Sequence, residues 1–259
     1  MLWGNVGCMR QFAWLCLSAA LLGCPNGEGS GRTPESASSP PATSAATAAA
    51  PVPPSRVEAH FVDHARERVS ANICDRFFVA SARGRTTALG ETLGEGDALS
   101  ASSPDPFDVE TSDLALIVVV HIACVPKTRP AFLKSVVRRA DRSDLVWAGG
   151  AMKARLYFEE GAPYFGALEG TAPVAEHNHP TSWEVLSAIE GAGVFTVDGK
   201  PTRLGPRSVV TVPPATKHSW QPDPGSKLVA FQVYDPPGPE QRFKGLAAAA
   251  AAGGTDAGK

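Results

Sequence analysis

The sequence predicts an all-β protein, and three observations lead to this fold class. Short runs of β-branched and aromatic residues recur between glycine and proline turns, which is typical of a barrel or a jelly-roll sandwich. Helical spacing of apolar residues is clear only at 130–140, with 60–70 as a weaker candidate. The third observation is an internal repeat. The predicted strands are 76–80, 114–122, 154–158, 185–189, 193–197, 208–212 and 228–234.

The internal repeat relates the two halves of the chain. Segment 93–99 aligns with 204–210 at an offset of 111, and 113–120 aligns with 227–234 at an offset of 114. In this alignment Phe107 takes the position of His218. We therefore expect two similar β halves, the first of them without metal ligands. A single barrel with extra N-terminal strands is the alternative.

Three histidines and one glutamate form the most informative motif. Residues i and i+2 of a strand share a face, so His177 and His179 should project side by side. Glu184 begins a new strand after a short turn, and His218 follows a Pro-Pro break. Imidazole plus carboxylate suits Mn, Fe, Co, Ni or Zn. The motif predicts one divalent metal ion on these four residues; the alternative is that three of the chain's six histidines fall together by chance.

This pattern resembles the two motifs of the cupin superfamily. In the first motif, the fixed positions are filled by Gly170, His177, His179, Glu184 and Gly191, with one residue more than usual between Gly170 and His177. In the second motif, Pro213 and His218 are present. Arg207 and Ala215 replace its two glycines, and Pro222 replaces its asparagine. These departures fall on turn positions, and all four ligand types are kept.

The resemblance implies a double-stranded β-helix, the cupin jelly-roll barrel, here with two cupin-like halves of which the N-terminal one is degenerate. It implies Mn or Fe as the favoured metal, with Ni, Co or Zn also suitable. The family includes dioxygenases, decarboxylases and sugar isomerases, so we expect action on a small oxygen-rich molecule, with Glu184 in a secondary role as base. Two alternatives stay open: a metal-dependent binding module without turnover, and a metal that only locks the barrel.

The residues around the predicted metal indicate the character of the barrel interior. Alternation from Glu184 places Leu186 and Ala188 on the same face, which predicts an apolar interior. Arg242 follows a proline-rich segment after the last strand and would cover the barrel or a partner subunit. Four side chains are predicted to line the substrate cavity, with ordinary barrel packing as the alternative: Tyr157, Trp220, Gln232 and Tyr234.

The N-terminus predicts export and a lipid anchor. Residues 1–23 have the charged start and short apolar run of a signal peptide, too short to span a bilayer. The run ends in Leu21-Leu22-Gly23-Cys24, which resembles a bacterial lipobox and implies acylation of Cys24. We expect a cell-envelope protein that faces the periplasm, with the outer membrane favoured and the lipid as its only membrane contact. Met9 is an alternative start, and an ordinary secretory signal is the alternative to lipidation.

Composition defines the remaining segments. Residues 24–55 are rich in Ser, Ala and Pro and are predicted to be a disordered linker. The degenerate half is placed at 56–145, the metal-binding domain at 146–246 and a disordered tail at 247–259. A helix extended by the alanine run is the alternative for the tail. Export leaves Cys74 and Cys124 as the pair expected to form a disulfide, with two buried thiols as the alternative.

Charge narrows the range of partners. A net charge of −2 and a pI near 6.3 provide no basic surface, which argues against nucleic acid. The expected partner is a small-molecule ligand, and a homodimer stays open.

Overall fold

The computed structural model describes residues 56–70, 72, 74–102, 105–122, 132–159 and 163–253. These residues form β-sheets, one C-terminal helix and two short 3-10 turns, so the all-β prediction is confirmed. The predicted signal peptide, Cys24, the linker and Cys124 lie outside the described residues. Within the described part of the chain, no helix is long and apolar enough to cross a membrane.

The N-terminal half consists of two antiparallel sheets that contain nine strands. One sheet has the order β1-β8-β3-β6-β9 and the other the order β2-β7-β4-β5. The strands are β1 (Val57–Asp63), β2 (Arg66–Val69), β3 (Arg76–Arg83), β4 (Thr86–Ala88), β5 (Glu91–Leu93), β6 (Ala98–Ser102), β7 (Phe107–Thr111), β8 (Leu114–Val120) and β9 (Leu133–Val137).

The C-terminal half has the same construction with ten strands. Its sheets have the orders β10-β11-β12-β19-β14-β17 and β13-β18-β15-β16. The strands are β10 (Leu145–Trp147), β11 (Met152–Phe158), β12 (Tyr164–Gly170), β13 (Val174–His177), β14 (Trp183–Glu190), β15 (Gly193–Val197), β16 (Lys200–Leu204), β17 (Val209–Val212), β18 (His218–Pro222) and β19 (Leu228–Asp235).

The two halves are copies of one topology. The order β1-β8-β3-β6 reappears as β12-β19-β14-β17, and β2-β7-β4-β5 reappears as β13-β18-β15-β16. The turns repeat as well: Gly94 N donates to Asp97 Oδ2 at 3.0 Å, and Gly205 N donates to Ser208 Oγ at 3.0 Å. The predicted repeat is confirmed, because its offset of 111 pairs these two turns. The predicted offset of 114 for 113–120 is wrong by one residue, since Ser81 pairs with Ala115 where Ala188 pairs with Ala230. Both strands are apolar on both faces, so the sequence alone does not fix their register.

The larger sheets of the two halves share an apolar core, and each half also has a core of its own. The shared core joins Phe78, Leu116 and Val118 to Phe165, Val185 and other residues of the second half. Strand β14 contributes side chains to two cores, because successive residues of a strand point to opposite faces. Its odd positions, such as Val185, enter the shared core, whereas Leu186 and Ala188 enter the C-terminal barrel. The predicted apolar interior is therefore confirmed.

One helix, α1 (Gln241–Gly253), follows the last strand. It begins after the segment of Pro236, Pro237 and Pro239, and it continues through the alanine run. The prediction of a disordered tail over 247–259 is therefore wrong for 247–253. Alanine has the highest helix propensity, and buried Phe243 fixes the first turn against the barrel. Residues 254–259 lie outside the described part.

The helix predicted at 130–140 is also wrong. Residues Leu133–Val137 form the edge strand β9, which pairs antiparallel with β6 through Val136 and Leu99. The apolar spacing resembled a helix, but Phe132 and Leu133 are exposed, and sheet pairing overrides a weak local preference. The candidate helix at 60–70 lies in β1 and β2.

The first half also contains a disulfide-bonded cysteine, Cys74. Its predicted pairing with Cys124 stays a prediction, since Cys124 is outside the described residues.

Candidate metal centre

The four predicted ligands come from strands β13, β14 and β18 and from the loop after β13. His177 ends β13 and pairs in register with His218, which begins β18. Glu184 is the second residue of β14, and strand alternation places its side chain on the same barrel-facing side as Leu186. His179 lies in the loop after β13, where Ala215 N donates to its carbonyl at 2.7 Å. Ligand atoms of all four residues lie within 4.8 Å of one another.

Backbone carbonyls orient two of the imidazoles. His177 Nδ1 lies 2.8 Å from the carbonyl oxygen of Ala175, and His218 Nδ1 lies 3.0 Å from that of Thr216. A carbonyl can only accept, so each Nδ1 carries a proton, and in the neutral ring each Nε2 presents a lone pair to the site. This arrangement fixes the ring tautomer that a metal ion requires.

Glu184 is held at both carboxylate oxygens. Gln232 Nε2 donates to Oε1 at 2.6 Å, while His179 Nε2 and His218 Nε2 lie 3.1 and 2.9 Å from Oε2. All four of these side chains are buried, with Glu184 only 4% exposed. The site therefore contains a carboxylate that depends on its neighbours for compensation, because an isolated buried charge is costly.

The pKa values of the ligands follow from these contacts. Burial alone would raise the pKa of Glu184, but the imidazoles of His179 and His218 outweigh burial and hold it well below its usual value. Burial lowers the pKa of His177 to about 4, and the nearby Arg242 cation adds to the effect. Burial also acts to lower the pKa of His218, yet the Glu184 carboxylate reverses the outcome and raises it.

The residues present fit a metal ion. His218 Nε2 is buried and, among the described residues, has no hydrogen-bond partner, because its close contact with Glu184 is poorly aligned. A buried nitrogen with an unused lone pair is costly unless something binds it. The separations of 2.9 and 3.1 Å also match the roughly 3 Å expected between neighbouring ligands at about 2.1 Å from an octahedral ion.

Two turn positions where the motif usually has glycine keep the glycine conformation. Arg207 has φ 67° and Ala215 has φ 59°, in the left-handed region that side chains other than glycine rarely adopt. Gly191 has φ 91°, and an added Cβ would lie 2.4 Å from the Lys227 carbonyl oxygen. The local backbone of the motif is therefore retained where its residues are not.

A cavity of about 390 Å³ opens onto the metal centre. Its wall includes His177, Glu184 and His218, and three of the four predicted lining residues: Trp220, Gln232 and Tyr234. The prediction for Tyr157 is wrong. Its neighbour Leu156 faces the barrel, so Tyr157 points the other way into the shared core, where its hydroxyl donates to the Gly96 carbonyl at 2.7 Å.

Comparison with known proteins agrees with this architecture. Residues 166–231 match the sequence family described as the cupin domain. This chain carries a cupin domain. The matched segment contains all four residues of the metal centre. Among curated proteins, none matches the sequence.

Solved structures of other proteins resemble this fold. A protein from Pseudomonas aeruginosa described as glyoxylate-induced has a TM-score of 0.50 at 8% identity, over 69% of this chain and 79% of that one. Oxalate decarboxylase from Lactobacillus farciminis in its formate complex has a TM-score of 0.49 at 12% identity, over 62% and 70%. A cupin 2 conserved barrel protein from Leptotrichia buccalis has a TM-score of 0.44 at 13% identity, over 68% and 81%.

The N-terminal cupin-like copy has lost the ligands. Val69 pairs with Phe107 where His177 pairs with His218. Phe77 pairs with Val119 on β8, as Glu184 pairs with Tyr234 on β19. The predicted degenerate half is therefore confirmed, including Phe107 at the position of His218.

Two functional contacts were not predicted. Gln232 was expected to line the cavity, but its bond to Glu184 was not foreseen. The register of β14 and β19, in which Leu186 faces Gln232, could have suggested it. Arg242 lies 65 positions from His177 along the chain, and no local pattern indicates that their side chains meet.

Proposed function

We propose that this chain is a metal-dependent cupin that binds one divalent transition metal through His177, His179, Glu184 and His218 and uses it on a small molecule. The observation that carries the proposal is the convergence of these four buried or half-buried ligands, three of which, His177, Glu184 and His218, line the wall of a cavity. Four protein ligands would leave about two positions of an octahedral ion for water or substrate.

A bound metal would supply Lewis acidity, an activated water or a site for dioxygen. The chain's own residues prepare this chemistry. The carbonyls of Ala175 and Thr216 hold the imidazole tautomers, and Gln232 holds the carboxylate of Glu184. The apolar barrel wall limits the access of water, which strengthens the electrostatic interactions at the site.

The reaction types that suit such a centre are those of a dioxygenase, a decarboxylase or an isomerase. Manganese or iron is the favoured metal, because the donor set combines imidazole nitrogen with a carboxylate; nickel, cobalt and zinc also suit it. In this proposal Glu184 is mainly a ligand, and it could accept a proton only if it left the metal.

A binding module without turnover is the second candidate. The specific observation in its favour is that both oxygens of Glu184 are engaged, by Gln232 on one side and two imidazoles on the other. Glu184 is also the only buried carboxylate among the described residues that line the cavity. A catalytic base needs a free oxygen that can reach a substrate proton.

One experiment separates the two candidates. The purified full chain is loaded with Fe(II), Mn(II), Ni(II) or Zn(II) and screened for oxygen uptake and for turnover of small carboxylic and hydroxy acids, diphenols and sugars. Turnover with at least one metal supports the enzyme. Tight metal-dependent binding without turnover under any metal would favour the binding module.

We further propose that the protein is anchored to the cell envelope by lipid on Cys24 and faces the periplasm, with the outer membrane as the favoured location. Support comes from the lipobox-like Leu21-Leu22-Gly23-Cys24 after a short apolar run. Labelling with palmitate should depend on Cys24. If the Cys24→Ala variant still partitions into detergent, the anchor proposal is wrong.

A further inference from the structure

The cavity beside the metal centre is apolar except at the end where the ligands lie. Trp147, Met152, Leu168 and Phe195 form part of its wall, whereas His177, Glu184, Gln232 and Arg242 meet at the polar end. Hydroxyl groups enclosed by such a wall would lose their bonds to water without replacement, which costs free energy. The cavity therefore suits a ligand with one polar end and an apolar body, rather than a sugar.

Helix α1 forms one side of this cavity. Phe243 is 3% exposed and stacks on Trp147, with ring centroids 5.4 Å apart and an angle of 14° between the planes. Leu246, one turn further along the helix, also lines the cavity. Lys244 points elsewhere and pairs with Glu159. The packing of Phe243 thus sets the position of the first turn, including Arg242.

Arg242 brings a positive charge to the polar end. Its Nη2 lies 3.2 Å from His177 Nε2, the nitrogen that faces the metal centre. The guanidinium also lies over the Phe243 ring, 5.8 Å from the centroid. Among the described residues, no carboxylate is within ion-pair distance of it. Arginine donates two parallel hydrogen bonds to a carboxylate. Arg242 is exposed and uses its Nη2 on His177, and its other N–H groups face no carboxylate among the described residues.

Gln232 adds a second unused group at the same end. Its Nε2 is occupied by Glu184, but its Oε1 is buried and has no hydrogen-bond partner among the described residues. Gln232 is 4% exposed and lines the cavity. Its oxygen can only accept a hydrogen bond, so it does not bind a carboxylate, which leaves Arg242 as the group that can.

We infer that the cavity takes a small carboxylate with an apolar body, and that Arg242 is the residue that selects the carboxylate. This inference rests on the proposed function, and it narrows the expected oxygen-rich substrate to an apolar acid. The carboxylate lies at the end where Arg242 meets His177. The body of the ligand packs against Trp147, Phe243 and Leu246.

The test uses the metal-loaded full chain and three probes, measured by isothermal titration calorimetry. Benzoate has the charge and the apolar body, benzamide lacks the charge, and acetate lacks the body. Benzoate should bind at least about ten-fold more tightly than either of the others, given the typical strength of a charge-assisted hydrogen bond and of burying a large apolar group.

Substitutions at Arg242 test whether this residue selects the carboxylate of the ligand. Arg242→Gln should weaken benzoate about ten- to hundred-fold and leave benzamide within about two-fold, while Arg242→Lys restores part of the loss. Lys244→Gln is the matched control, because it removes one positive charge from the same helix outside the cavity. It should leave benzoate binding within about two-fold of wild type.

The metal content of every sample, measured by mass spectrometry, separates the possible failures. If wild type takes up no metal, the proposed function and this inference both fail. If metal is bound but benzoate shows no advantage over benzamide and acetate, the inference alone is overturned. Equal effects of Arg242→Gln and Lys244→Gln would overturn it as well.

Discussion

The two halves of the molecule share a strand order and differ in what their strands carry. Strands β2, β3 and β7 hold Val69, Phe77 and Phe107 at the positions where β13, β14 and β18 hold His177, Glu184 and His218. The turn at Gly94–Asp97 nevertheless has the same hydrogen bonds as the turn at Gly205–Ser208. The barrel is therefore specified by turns and apolar alternation, while the site depends on a few side chains that the fold does not need.

The largest effect is expected when a ligand of the second half is replaced by the residue that occupies its position in the first half. His218→Phe installs the counterpart of Phe107, and the new ring can pack on Phe195, which already stacks on His218 at 5.9 Å. The metal content should fall from about one ion per chain to about zero, since a ligand and its geometry are lost together. Mass spectrometry of the purified protein measures this.

The control for this substitution is His60→Phe, which changes a histidine that pairs with Glu67 away from the site. It should keep the metal. Circular dichroism should show the same β-sheet content in both variants, and a fully retained metal in His218→Phe would contradict the assignment of the site.

A smaller effect on metal binding is expected from substituting Gln232, which donates a hydrogen bond to Glu184. The matching strand registers place Ile117 at the position of Gln232, so the apolar, β-branched substitution Gln232→Val makes the second half resemble the first. Loss of a residue that orients a ligand typically weakens metal affinity about 10- to 100-fold. Competition with a chelator gives the affinity. Gln221→Val, an exposed substitution on β18, should leave the metal affinity unchanged. Equal metal affinities of the two variants would show that Gln232 does not support the metal centre.

The equivalent turns offer a comparison of a charged group with a neutral one. Asp97 accepts bonds from Gly94 N and Arg139 N and pairs with Arg138 at 2.9 Å, whereas Ser208 accepts only from Gly205 N in its turn. At neutral pH, Asp97→Asn should lower the free energy of unfolding by about 1.5–3 kcal/mol, and Ser208→Ala by about 0.5–1.5 kcal/mol. Urea unfolding measures both.

The two turns should also differ in their pH dependence. Burial alone would raise the pKa of Asp97, but hydrogen bonds from Arg139, Arg138 and Gly94 lower it below 3.8. The stabilisation from Asp97 is therefore present above its unfolded pKa and is lost as pH falls through the lower folded value. The difference between wild type and Asp97→Asn should shrink below about pH 4. The effect of Ser208→Ala should stay constant, and a constant effect of Asp97→Asn would contradict the role of its charge.

The smallest effect concerns the loop that holds His179. Ala215 has φ 59°, so Ala215→Gly should relieve strain and stabilise the fold by about 0.5–1 kcal/mol. Ala151, with φ −73°, is the control, because glycine there should destabilise the fold instead. Thermal unfolding compares the two, and equal losses in both would show that Ala215 is unstrained.

Much of the fold and of the metal centre could be predicted from the sequence, because local patterns encode them. The convergence of His177 and His179, and the apolar alternation after Glu184, both hold in the structure. The prediction that the two histidines share a strand face is wrong, because β13 ends at His177 and His179 lies in the loop that follows. Tyr157 was placed wrongly because β11 is buried on both faces, so alternation alone does not say which face is the cavity. The bond of Gln232 to Glu184 and the contact of Arg242 with His177 depend on long-range pairing, which has no local signal.

X-ray absorption spectroscopy of the metal-bound full chain is the decisive measurement for the difference between the halves. A shell of nitrogen and oxygen ligands with about three imidazoles, at about 2.0–2.2 Å, is expected for one metal per chain. The signal should disappear in His179→Ala and persist in His121→Ala, a histidine of the ligand-free half. Two results would contradict the metal centre proposed for the second half. One is a folded chain that binds no metal although metal is supplied, and the other is a signal that is unchanged in His179→Ala.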